Sequence, residues 1–195
     1  MNTQTSNHAQ TNHNLQSIND ILKNHESYID TIITIRGWVR NRRDSKAGFS
    51  FITVSDGSTF SALQIVASND LANYTTEVLK LTKDCSVAIT GKLINSLGDN
   101  QSVELVANVV TVIGLVENPD TYPVSAKRHT VEYLRDVAHL RVRTNLISAV
   151  MRVRNTVSYS IHKYLQNLGF YWIHTPIITG TDCEGAGEMF RVSVD

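Results

Sequence analysis

Cysteine is nearly missing from this chain of 195 residues: Cys85 and Cys183 stand far apart, with no paired spacing and no histidines arranged around them. That excludes a disulfide framework and a zinc site of the finger or ribbon kind, and it fits two buried thiols in a reducing compartment. Long apolar runs are missing too, so no segment has the length needed to cross a bilayer. The Asn-, Gln-, Thr- and His-rich start lacks the apolar core of a secretory signal, which makes the cytoplasm the expected location. Net charge is absent as well: 18 Lys and Arg offset 18 Asp and Glu, so the chain as a whole is no polyelectrolyte. Proline numbers three, and two of them fall within Glu117-Asn118-Pro119-Asp120-Thr121-Tyr122-Pro123, a stretch that disfavours both helix and central strand and so marks a domain boundary.

What is present is enough apolar content, 42%, to bury one comfortable core and part of a second. The zero net charge hides two local excesses. Residues 32–46 hold Arg36, Arg40, Arg42, Arg43 and Lys46 against Asp44 alone, and residues 127–154 hold Lys127, Arg128, Arg135, Arg141, Arg143, Arg152 and Arg154 against Glu132 and Asp136. Charge alone leaves two readings open, solvated faces or a surface for a polyanion.

Residues 1–16 have almost nothing to bury and read as a disordered polar tail; His8 and His13 within it are solvated, and no metal is expected there. Ile18, Ile21 and Leu22 at helical spacing after Ser17 predict a short capped helix over 17–28. From 32 to 115 the period changes to two, with turns at Ala47-Gly48, Asp56-Gly57 and Gly98-Asp99-Asn100. Strands are expected at 32–42, 49–55, 60–67, 86–97 and 103–115, with a helix over 74–81. Five short strands with one helix before the fourth suit the all-β OB-fold barrel, spanning 17–116, a fold that commonly binds single-stranded nucleic acid. A linker or hinge follows over 117–143. Beyond it, Ile147, Val150, Val157, Ile161, Leu165 and Leu168 mark the apolar stripe of a long helix, capped by Thr144 or Asn145 and ended by Gly169.

Strand parity turns Ile33, Ile35 and Val39 to one face and Thr34, Arg36, Trp38 and Arg40 to the other. On the next two strands Ile52 and Val54 oppose Phe49 and Phe51, and Leu63 and Ile65 oppose Gln64 and Val66. Two arrangements stay open on parity alone. Phe49 and Phe51 fill the barrel core with Ile52 half exposed, or Ile52 and Leu63 face inward and Phe51 and Gln64 face out. In the second, a ring beside arginines suits an unstacked base and its phosphates, and Gln64 offers a donor and an acceptor to a base edge.

The runs Gly37-Trp38-Val39-Arg40-Asn41-Arg42-Arg43-Asp44, Phe51-Ile52-Thr53-Val54-Ser55-Asp56-Gly57 and Leu63-Gln64-Ile65-Val66 resemble the anticodon-binding barrel of the aspartyl, asparaginyl and lysyl subclass of class II aminoacyl-tRNA synthetases. The long helix with Gly169 to Thr179, and Glu184-Gly185-Ala186-Gly187-Glu188-Met189-Phe190 after it, resemble motif 1 and the amino-acid loop of the same class. Within it the resemblance is to the asparaginyl-tRNA synthetases and covers about residues 28–195. It implies that Arg43, Phe51 and Gln64 engage the central uridine of the anticodon; Arg43 lies at the end of its expected strand, where a bulge can reset its face. It implies that Glu184, with Glu188 beside it, meets the amino acid as a loop closes, and that motif 1, with Pro176, forms a homodimer interface.

On this basis residues 144–195 are the start of an incomplete α+β class II catalytic domain. The resemblance implies that the full-length enzyme joins asparagine to its tRNA using ATP and magnesium. The chain stops at Asp195, before the arginines of motifs 2 and 3, so no catalytic residue, ATP or magnesium site is expected within it. The alternatives are a stand-alone OB-fold RNA-binding module, an aspartyl-type synthetase fragment without ligase activity, and a protein whose orphan motif 1 strand seeks a partner.

Overall fold

The computed structural model describes residues 15–96, 98, 101–125, 127–180 and 190–193. The chain divides into two compact units, Met1–Ala149 and Val150–Asp195.

In the first unit, α1 (Ile18–Lys23) and α2 (His25–Tyr28) precede β1 (Ile32–Ser45), β2 (Phe49–Ser55), β3 (Leu63–Ser68), β4 (Ser86–Asn95) and β5 (Val103–Gly114). The strands close into a barrel in the order β1-β2-β3-β5-β4. All pairings are antiparallel except β3 with β5, which closes the cylinder in parallel through Gln64↔Glu104, Ile65↔Leu105 and Val66↔Val106. Of the two arrangements left open by alternation the barrel adopts the one with Ile52 and Leu63 inward: Ile33, Ile35, Val39, Ile52, Val54, Leu63, Ile65, Ile89, Leu93 and Leu105 are all buried. Gly91 sits where β4 crosses β5 most closely, because a Cβ there would lie 2.2 Å from the Val106 carbonyl oxygen.

The helix expected over 17–28 is broken at Asn24 into α1 and α2. Ser17 caps α1 by accepting from the Asp20 N–H, and Asp56 and Ser58 of the β2–β3 loop take the Ile18 and Asn19 N–H groups at 2.8 and 3.0 Å. Those orphan donors at the helix start are thereby satisfied from the barrel itself, and Ile18 and Ile21 join its core. The chain is docked two residues earlier than expected, with Leu15 bridged to Thr34 and the Gln16 N–H donating to the Thr34 carbonyl at 3.0 Å.

Several element bounds differ from expectation. β1 runs on to Ser45, and β3 starts at Leu63 rather than at 60, with Phe60 exposed in the loop before it. The helical connection expected over 74–81 narrows to a 3₁₀ turn at Val78–Lys80, preceded by irregular turns. Tyr74, Val78 and Leu81 are buried at helical spacing, but Leu79 N–H reaches back five residues to Tyr74 and Lys80 N–H only three to Glu77. The Asn73 amide donates both to the Val110 carbonyl and to Glu77, which pins the segment to β5 and prevents an even helix.

After the barrel come α3 (Val131–Asp136), capped by Thr130, a 3₁₀ turn at Arg141–Arg143 and α4 (Asn145–Asn167). Within the second unit α4 ends in the hydrogen-bond pair of a Schellman cap: Gly169, at φ 87°, donates to Gln166, and Phe170 donates to Leu165. The strand expected after Gly169 is not formed. Residues 170–176 carry no regular structure, and Tyr171 and Ile177 are 90% and 98% exposed. A strand exists only through its ladder partners, and among the described residues none lies beside this segment.

Candidate nucleic-acid interface

The outer face of β1, β2, β3 and β5 gathers the residues that the sequence singled out. Phe51 pairs with Arg43 on β1 and with Val66 on β3, and the next row is Thr53, Gln64 and Glu104. Paired residues share a face, so Arg43 and Phe51 stand side by side with Gln64 on the neighbouring row. A bulge between Val39 and Asn41 makes this possible. Before it, odd-numbered residues point into the barrel; after it, Arg42 opposes buried Ile52 and Arg43 opposes Phe51 on the outside.

The ring of Phe51 is half-buried at its base and meets Phe49 edge to face, with centroids 5.1 Å apart. The Arg43 guanidinium lies over it, Cζ 5.3 Å from the centroid. Arg43 itself is exposed, whereas Arg42 is tied down by the Val78 carbonyl at 3.0 Å and by Asp44 at 3.2 Å. One arginine is therefore structural and the other free to meet a ligand. An aromatic ring flanked by a planar cation accepts a stacked base on one and a phosphate on the other.

Gln64 is held by a residue that the sequence reading missed. Its Nε2 donates to Glu104 Oε2 at 3.2 Å, and the same oxygen accepts from Gln101 Nε2 and Ser96 Oγ, each at 3.2 Å. A carboxylate only accepts, so it holds the amide NH₂ and leaves the Gln64 carbonyl oxygen as the group that meets a donor on a base edge. Alternation along β5, with Val103, Leu105 and Ala107 buried, already turns Glu104 outward. Its place beside Gln64 comes from the parallel β3–β5 pairing, which alternation does not encode.

Pro176 lies in the unpaired segment of the second unit. Glu184 and Glu188 lie outside the described residues. Cys85 is buried, its Sγ accepting from the Thr82 and Val116 N–H groups. Among the described residues no group of three or more His, Cys, Asp or Glu side chains is placed to hold a metal ion, and no helix is long and apolar enough to cross a membrane.

A closed five-stranded barrel of this order, with a ring, a guanidinium and an amide on its open face, defines an OB-fold nucleic-acid-binding domain, and residues 33–113 match the family model of that description. Residues 130–195 match the model of the class II tRNA synthetases of the D, K and N group. Its curated relatives include the asparagine–tRNA ligase of Legionella pneumophila (strain Corby), 61% identical over 168 residues, and that of Haemophilus ducreyi, 60% identical over 161. These alignments cover 86% and 83% of this chain but only 36% and 34% of the relatives, so the chain spans about a third of their length. Among solved structures, the asparaginyl-tRNA synthetase of Pyrococcus horikoshii aligns with a TM-score of 0.68 at 24% identity, covering 78% of this chain and 36% of that one. The aspartyl enzyme of Entamoeba histolytica gives the same score at 18% identity, covering 89% and 41%. These two likenesses speak for the fold.

Proposed function

We propose that the chain serves asparagine–tRNA ligation and that its barrel binds the tRNA anticodon by taking the central uridine against Phe51, Arg43 and Gln64. The observation that carries this reading is the single open face that joins the Arg43–Phe51 stack to the Glu104-held Gln64. Identity of about 60% to curated asparagine–tRNA ligases supports the amino acid named. Phe51 supplies the stacking surface, Arg43 meets the adjoining phosphate or shares the stack, and the Gln64 carbonyl accepts from uridine N3–H. Cytidine has no proton at that nitrogen, so the same oxygen rejects it.

ATP and magnesium belong to this proposal only at the level of the whole ligase. The described residues gather no metal-ligating cluster, and no step of the barrel's function runs through either group. Glu184 and Glu188 are proposed to face asparagine, and the segment around Pro176 to join two copies of the enzyme, in the cytoplasm. By itself the 195-residue chain is expected to bind RNA and to show no asparagine-dependent exchange of pyrophosphate with ATP.

The test is a titration with an anticodon stem-loop bearing a central uridine. Phe51→Ala is expected to weaken binding by about 1–3 kcal/mol, the scale of one stacked base, while the barrel melts as before. Equal affinity of variant and parent would overturn the reading.

A further inference from the structure

Away from the open face, the tip of the turn before β4 carries a carboxylate that neither the barrel fold nor RNA binding explains. Asp84 adopts a left-handed backbone, φ 70°, and its side chain is 1% exposed. Its N–H donates to the Val39 carbonyl at 2.7 Å, and the Val39 N–H donates to the Cys85 carbonyl at 2.9 Å, so the turn is stitched to β1 at the bulge. Glycine would meet the same backbone demand without strain and without burying a charge. Yet an aspartate stands here, and among the described residues neither of its carboxylate oxygens accepts a hydrogen bond.

Two cations flank that carboxylate, and a third lies near them. Arg143 Nη1 lies 3.6 Å from Oδ1 and Lys83 Nζ 4.0 Å from Oδ2. Lys83 Nζ also donates to the Val124 and Ser125 carbonyls at 2.6 and 3.0 Å. Arg143 donates to the Tyr122 hydroxyl at 3.2 Å and lies over the Trp38 ring, Cζ 5.3 Å from its centroid. Next to them Arg40 Nη2 donates to Asn145 Oδ1 at 3.1 Å, holding the first residue of α4. The contacts of Arg143 with Asp84 and Trp38, of Lys83 with Val124 and Ser125, and of Arg40 with Asn145 join the barrel to the segment running from Tyr122 to Asn145. Burial pulls the Lys83 ammonium below the ordinary lysine range, Arg40 and Arg143 pull it further, and Asp84 alone opposes them. Without the carboxylate, like charges would face one another across a half-buried seam.

We propose that Asp84 is a positioning residue whose buried charge fastens the hinge to the barrel through Arg143 and Lys83, and so fixes where α4 begins. The barrel core lies elsewhere and does not need this charge. The proposal stands apart from the RNA reading, so neither depends on the other's success.

The test uses the full 195-residue chain carrying Trp172→Phe, which leaves Trp38 as the sole tryptophan. Asp84→Asn removes the charge but keeps a residue that tolerates the left-handed turn; Asp84→Gly removes the charge and relieves the backbone. In both, amide exchange at Leu134, Val137 and Ser148 is expected to quicken about tenfold, the scale of one lost charged contact, while Ile35 and Ile89 exchange as before. Trp38 emission is expected to shift toward that of Arg143→Met as the guanidinium leaves its ring. Arg143→Met is the second arm, because it removes the partner from the hinge side: it must reproduce the exchange pattern and add nothing in the Asp84→Asn background. Faster exchange of barrel and hinge together, unchanged Trp38 emission, or additive effects of the two substitutions would each overturn the proposal.

Discussion

The barrel and the residues after Ala149 are both rich in apolar side chains, and their fates differ. In the first unit Ile35, Ile52, Ile65 and Ile89 are sealed from water, each strand completing the ladder of its neighbours. In the second, α4 exposes Val153, Tyr159, Ile161 and Tyr164, and the run after its cap exposes Tyr171 and Ile177 almost wholly. Local signals are strong in both: α4 has its stripe and its Schellman cap just as β1 has its alternation. The difference teaches that local pattern forms a helix, whereas a strand and a core need partners distant in sequence.

The largest effect should separate the two units directly. Ile52→Ala empties a filled core position and is expected to cost the barrel about 2–5 kcal/mol, whereas Val157→Ala, on the exposed stripe of α4, should change stability of this chain by less than about 0.5 kcal/mol. Urea denaturation followed by barrel-specific amide signals measures both. Equal costs would erase the contrast.

A smaller effect sharpens the distinction between core and open face within the barrel. Glu104→Gln lets the neighbouring group donate as well as accept, so the Gln64 amide is free to turn and present its NH₂ outward. Preference for a central uridine over a central cytidine should narrow by about 1 kcal/mol, with the melting temperature little altered. Competition between the two stem-loops reads this. An unchanged preference would mean that Glu104 does not set the direction of the amide.

The smallest effect concerns α1. The Asp20 carboxyl is held below the ordinary carboxylate range, first by the Tyr28 hydroxyl and then by the Asn24 amide, while the Tyr28 phenol is pushed above its usual value by Asp20. For a depressed carboxylate the stabilisation is present above the ordinary value of 3.8 and lost as pH falls through the lower folded value. For a raised phenol it is present below 10.0 and lost as pH rises. Tyr28→Phe should therefore flatten both ends of the pH–stability curve slightly. Curves that superimpose would show that this pair contributes nothing.

Much of this was legible in residues alone. Ser17 as a cap, Gly169 as a helix stop, and the inward set Ile33, Ile35 and Val39 all follow from short-range chemistry and appear as expected. Alternation within one strand puts Phe51 opposite Ile52 and Gln64 opposite Leu63, but which of the two faces lies outside is decided by the closed barrel, with Ile52 and Leu63 sealed within. Three further things were not legible, and each depends on contacts between distant segments. The bulge after Val39 turns Arg43 outward, the parallel β3–β5 closure brings Glu104 to Gln64, and Asn73 pins residues 74–81 out of a regular helix. The expected strand after Gly169 fails for the same reason, since spacing announces a strand but cannot supply its neighbour.

The central claim is that an unpaired uridine lies against Phe51 and Gln64 on the open barrel face. Placing 4-thiouridine at the central anticodon position of a stem-loop, irradiating its complex with the chain and mapping the linked peptide tests this most directly. Attachment within residues 49–55 or 63–68, abolished by an excess of unmodified stem-loop, is the predicted result. Efficient attachment only to other segments, with those two strands unlabelled, would contradict it.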